Sequence, residues 1–190
     1  MSANCCRYFL LMSCILALTL PRLAAEETSS SQPKLALTAA LVLSPEFCAT
    51  VTTKAHEKFR VGKAACAALE PSLKKVFASL TRIDDSSKSG NAQVVLEPRF
   101  ADVGSTQRAF AFSNRELAVL VEWTVRDQSG KAVWIETVQG SAKRHMGNAF
   151  THDRNVRRIV NESVEEMAEQ SAEKMSSSPE LLKLSAQPVK

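Results

Sequence analysis

The sequence holds little on which catalysis could be built. It has three histidines and one tyrosine in 190 residues, and only 6% of its residues are aromatic. No glycine-rich phosphate loop or dinucleotide fingerprint occurs, so nucleotide-dependent chemistry has no motif. Ser44 and Ser141 lack the context of a nucleophile elbow. The formal charge of +4 is too small to mark a nucleic-acid binder. Glycine and proline number only six and seven, which excludes collagen-like and linker-like chains. What is present is ordinary globular material, 45% apolar and 23% charged, in a length that suits one domain.

Cysteine use divides the chain. Three of the five, Cys5, Cys6 and Cys14, lie in the first 14 residues. Residues 1–25 read as a secretory signal peptide. Arg7 supplies the positive start, Tyr8–Leu20 is an uncharged and mostly apolar run of 13, and Leu23-Ala24-Ala25 places small residues before Glu26. That run is shorter than the roughly 20 apolar residues a spanning helix needs, so the mature chain is expected to carry no such helix. Leu11-Met12-Ser13-Cys14 offers a competing lipobox reading, with Cys14 lipidated, although Ile15–Leu20 continue the apolar run beyond it. Cleavage after Ala25 removes two arginines and no acid, which leaves 22 basic and 20 acidic residues. Cys48 and Cys66 then remain, with 17 residues between them. In an oxidising compartment such a pair either forms a disulfide or stays as two small buried hydrophobes.

Periodicity sets the expected fold. Residues 26–34 are a Ser-rich leader. Leu35–Leu43 alternate as a central strand with apolar or small residues on both faces, and Ala49–Lys54 are extended. A first helix follows Gly62, with Leu69, Leu73, Val76, Phe77 and Leu80 on one face and Pro71 either kinking it or opening a fresh helix. Asp84–Asn91 form a loop. Val94–Phe100 make a strand with Pro98 at an edge or bulge, and Arg108–Ser113 are extended. Leu117–Val125 and Val133–Val138 form a hairpin about Asp127–Lys131, with Gly130 at positive φ. Asp153–Met175 is the second helix, N-capped by Asp153. Its buried stripe runs through Val156, Ile159, Val160, Ser163, Val164, Met167 and Ser171, with Glu162, Glu165, Glu166, Glu169 and Glu173 on the wet face. Residues 176–190 are a tail, with a possible helical piece at Leu181-Leu182. The expectation is an α+β two-layer sandwich over residues 35–175. It has an antiparallel or mixed sheet of about four to five strands, with both helices on one face.

Two binding surfaces stand out. Lys143, Arg144, His145, Arg154, Arg157 and Arg158 cluster in the loop before the second helix and on its first turns. Cations at a helix start oppose its macrodipole, so helix stability does not account for them. They suit phosphates, lipid head groups or an acidic partner. Trp134 and Val138 are placed on the face of the sheet away from the helices. An enzymatic rival draws on Cys48, His56, His145 and His152, with no third ligand or oxyanion hole to complete a site. No cofactor is expected. A third reading is a structural envelope subunit that forms a homo-oligomer.

Several segments resemble a known pattern. They are Ser44-Pro45-Glu46-Phe47, the Lys58–Ala64 stretch that opens a helix, Leu120–Asp127 with Ser129-Gly130-Lys131 and Trp134, and Gly140 with Ala168 and Ala172 on a final helix. The chain resembles small bacterial envelope proteins of the YajG-like lipoprotein type over about residues 35–175. It is also similar to the lipopolysaccharide-assembly LptE lipoproteins and to auxiliary lipoproteins of ABC transporters. The resemblance implies a non-catalytic accessory protein of the periplasm or outer membrane. Such a protein binds an envelope partner or anionic lipid, with no nucleic acid involved. Those families carry their lipid on a cysteine that begins the mature chain, whereas the cut expected here precedes Glu26.

Overall fold

The computed structural model describes residues 34–54, 57–107, 114–147 and 150–187. Strand β1 (Leu35–Val42) leads to a short helix α1 (Pro45–Ala49) and a small hairpin of β2 (Thr52–Lys54) and β3 (Glu57–Phe59). Helix α2 (Val61–Leu73) and strand β4 (Phe77–Ile83) follow. Three strands of 14 residues come next, β5 (Val94–Gln107), β6 (Asn114–Asp127) and β7 (Ala132–His145). Helices α3 (His152–Ser177) and α4 (Pro179–Ser185) close the chain. The leader with Cys14, the residue His56 and the extended segment expected at Arg108–Ser113 lie outside the described residues.

The sheet has five strands in the order β4-β1-β5-β6-β7. β1 runs parallel to both its neighbours, and the β5-β6 and β6-β7 pairs are antiparallel. The α+β class, the mixed sheet and the central place of β1 are as the alternation requires. On one face of β1, Leu35, Leu37, Ala39 and Leu41 are buried; on the other Ala36 and Thr38 are exposed but Ala40 is buried. Pro98 lies within β5 beyond Leu96, the last residue that β1 pairs. On that side β5 is an edge, where a missing N–H costs no ladder bond.

One hydrophobic cluster joins both long helices to the same face of the sheet. Leu117, Val119, Val121 and Trp123 of β6 are fully buried, and Leu69 and Leu73 of α2 meet Ile159, Val164 and Met167 of α3 in that cluster. Serines in the buried stripe of α3 are hydrogen-bonded, as burial demands. Trp123 Nε1 donates to Ser171 Oγ at 2.9 Å, and Ser163 Oγ donates to the Ile159 carbonyl at 2.6 Å.

Several local expectations are corrected. The first helix stops at Leu73, with Pro71 inside its last turn. Val76 sits in the turn, while Phe77 and Leu80 belong to β4, which is parallel to β1. The helical spacing runs on only because turn and strand feed apolar residues into the same core. Thr151, not Asp153, holds the N-cap position of α3, with no side-chain capping bond to the helix, and Asp153 falls in the first turn, where its charge suits the macrodipole. Two of the acidic residues read as wet are engaged with β7: Glu162 binds Arg144, and Glu166 Oε2 accepts from the Ser141 amide at 2.6 Å. The segment read as a tail completes α3 and forms α4, whose Leu181 is fully buried and which contacts β1, α3 and β7.

Candidate functional site

Lys143, Arg144 and His145 are the last residues of β7 rather than part of a loop, and strand geometry separates them. Successive side chains point to opposite faces. Lys143 and His145 are exposed and pair in register with Glu116 and Asn114 of β6. Arg144 turns toward α3, where its Nε lies 3.2 Å from Glu162 Oε2 and its Nη2 meets Glu162 Oε1. The hydrogen bond to Glu162 raises the Arg144 pKa above its ordinary value. Arg144 is therefore already neutralised by its own fold. Arg154, Arg157 and Arg158 are all exposed on the first two turns of α3. Their spacing of three and four places them on one stripe of the helix. None of the three forms an ion pair among the described residues. The cluster expected from sequence thus divides into one spent arginine, two exposed groups at a strand end and a free arginine stripe.

Beneath the start of α3 lies an ionic group that sequence reading missed. Arg115 is only 3% exposed and is ion-paired with Glu57 of β3. The other oxygen of Glu57, Oε1, lies 2.7 Å from Nε2 of His152, the first residue of α3. The Arg115 guanidinium also stands 6.0 Å from the centre of the Phe59 ring. Burial lowers the pKa of Arg115, yet an arginine remains charged at any physiological pH. Glu57 therefore does two things. It neutralises a buried cation, and it pins the end of α3 that carries the arginine stripe. The signal for Arg115 was present in the sequence: it falls in phase with Leu117, Val119 and Val121, the buried side of β6.

The sheet-face candidates are reversed. Trp134 is 8% exposed and Val138 fully buried, and both belong to the core. A register shift between Val125 and Arg126 explains the reversal. β7 carries one extra residue there, and one residue exchanges the two faces of a strand. Trp134 thereby pairs with inward Val125, and Val138 with inward Val121. Ile135, 64% exposed, stands on the open face instead. That face also carries two ion pairs, with Arg126 Nε 3.0 Å from Glu97 Oε2 and Arg99 Nη2 3.7 Å from Glu122 Oε1.

The enzymatic rival loses its nucleophile. Cys48 of α1 is disulfide-bonded to Cys66 of α2, with the two Cα atoms 5.7 Å apart. A crosslink over a loop of this size contributes about 3 kcal/mol in the chain-entropy account. His145 is exposed, and His152 is held by Glu57. Among the described residues no three His, Cys, Asp or Glu side chains could hold a metal ion. Among those residues, too, no helix is long and apolar enough to cross a membrane.

No family model matches the chain, and no curated protein matches it. Solved structures do. A minor lipoprotein from Acinetobacter baumannii is similar at a TM-score of 0.52 and 13% identity, covering 76% of this chain and 94% of that one. A protein from Xanthomonas campestris, of family DUF330, is similar at a TM-score of 0.52 and 8% identity, covering 78% of this chain and 91% of that one. At such identities the likeness is one of architecture. The chain has the fold of these bacterial proteins.

Proposed function

We propose that the mature chain is a non-catalytic accessory protein of the bacterial cell envelope that holds an anionic envelope component on the arginine stripe of α3. The observation that carries this reading is the state of the arginines. Arg99, Arg115, Arg126 and Arg144 each meet a glutamate, whereas Arg60, Arg82, Arg154, Arg157 and Arg158 are exposed and form no ion pair among the described residues; of these five, the last three share one helix stripe. Three guanidinium groups on one stripe suit bidentate binding of phosphate or carboxylate. Their position near the positive end of the helix adds to the field felt by an anion. The secretory leader and the disulfide support export to an oxidising compartment. The shared fold with a minor lipoprotein supports a place in the envelope, in the periplasm or at the outer membrane. Assistance in lipid or lipopolysaccharide transport, as in LptE-like proteins, is the specific form of this function that the charge favours.

The test is capture from solubilised envelope by the tagged mature chain, with lipids and proteins both identified. An R154A/R157A/R158A variant is expected to lose a specific anionic component that the native chain retains, and to keep its melting temperature. Equal capture by both forms, or none by either, would overturn the assignment.

A further inference from the structure

The connection from β7 to α3 carries an apolar group that the arginine stripe does not explain. Phe150 is 96% exposed, the most exposed large apolar side chain among the described residues. It stands two residues before α3 and four before Arg154. Described residues near it are braced. Met146 is buried, Asn155 Nδ2 donates to its carbonyl at 3.0 Å, and Gly147 takes a φ of 71° against Thr151. Met146 and Gly147 are thus fastened to the start of α3. Lys143 and His145, also exposed, end β7.

We propose that this tip is a membrane-docking surface. Phe150 enters the boundary between head groups and acyl chains of an anionic bilayer, while Arg154, Arg157, Arg158 and Lys143 meet the head-group phosphates. The inference rests on the function proposed above and names the source of its anion. An exposed aromatic beside cations of one sign is the arrangement that holds proteins in a membrane interface. A protein partner fits less well. A specific protein interface buries about 800 Å² on each side around an apolar centre, and this tip offers one large exposed apolar side chain among the described residues. Four acids among the described residues lie near these cations. Asp153 is exposed on the first turn of α3, and Glu116 faces Lys143 across the strands. Glu57, 21% exposed, is engaged by Arg115 and His152, and Glu162, one turn beyond Arg158, is held by Arg144.

The experiment is cosedimentation of the mature chain with vesicles of phosphatidylglycerol and phosphatidylethanolamine, against vesicles of phosphatidylcholine. Binding is expected to the anionic vesicles only and to fall with added salt. F150S is expected to weaken it about tenfold, and R154A/R157A/R158A about a hundredfold. In F150W the fluorescence should shift to the blue on binding, since Trp123 and Trp134 are buried already and contribute a constant background. Unchanged binding by F150S, or an indole at position 150 that stays in water, would overturn the docking proposal. Failure of the native chain to bind anionic vesicles would overturn it too. If arginine-dependent capture from envelope persisted in that case, the function would stand and only the bilayer would be excluded.

Discussion

Gly140→Ala is expected to cost about 3 kcal/mol of stability, at the top of the range for overpacking a tight contact. Gly140 is buried on the inner face of β7, where α3 crosses the sheet. A Cβ at this position would stand 2.6 Å from Cβ of Met167, and closer still to the Ser163 carbonyl oxygen and the Met167 amide nitrogen. Real Cβ atoms do not approach backbone atoms so closely, and a helix cannot rotate one carbonyl out of the way. The whole helix would have to lift. That would draw Val164, Met167 and Ser171 from the core and lengthen the 2.9 Å bond from Trp123 to Ser171. The measurement is the denaturant midpoint of G140A against the native chain. An unchanged midpoint would mean that α3 does not cross β7 at this glycine.

Loss of the Glu57 carboxylate is expected to cost about as much. E57A leaves Arg115 buried with no countercharge among the described residues, and breaking a buried pair costs about 3 kcal/mol, the low end suiting a glutamate that is 21% exposed. E57A/R115M removes both charges and fills the space with a long apolar side chain. It is expected to recover most of the loss, because the penalty lies in the orphaned cation rather than in the missing attraction. Thermal or chemical unfolding of both variants decides the matter. Equal damage in the single and double variants would show that Glu57 stabilises the chain by some route other than Arg115. E57A also frees His152, so the start of α3 and its arginine stripe should become more mobile without the loss of any arginine.

How far the sequence disclosed this fold depended on the kind of signal. The β6–β7 hairpin was legible because five inward residues, Leu117 to Val125, alternate without interruption and Gly130 marks the turn. The buried stripe of α3 was equally plain. Phe77 and Leu80 were misplaced because a parallel strand and a continuing helix can present the same spacing of apolar residues over a few positions. Trp134 and Val138 were misplaced because a single extra residue in β7 inverts the phase, and nothing in the composition of that segment announces it. Of the candidate site, the stripe at Arg154, Arg157 and Arg158 was readable as charge against the helix dipole. That Arg144 is taken by Glu162, and Arg115 by Glu57, required the tertiary structure, since 18 and 58 positions of chain separate the partners.

The first two turns of α3 are the proposed meeting place with an anionic envelope component. Hydrogen exchange of the mature chain, with and without a solubilised envelope fraction, reads that contact residue by residue. The leading amides of α3 lack helical acceptors and exchange readily in the free protein, so a ligand there leaves a large trace. Slowed exchange is expected over His152–Arg158 and the end of β7 at Lys143–His145, with the exposed positions Ile135, Thr137 and Gln139 of the open face unchanged. Slowing confined to that open face, or no change along α3, would contradict this placement.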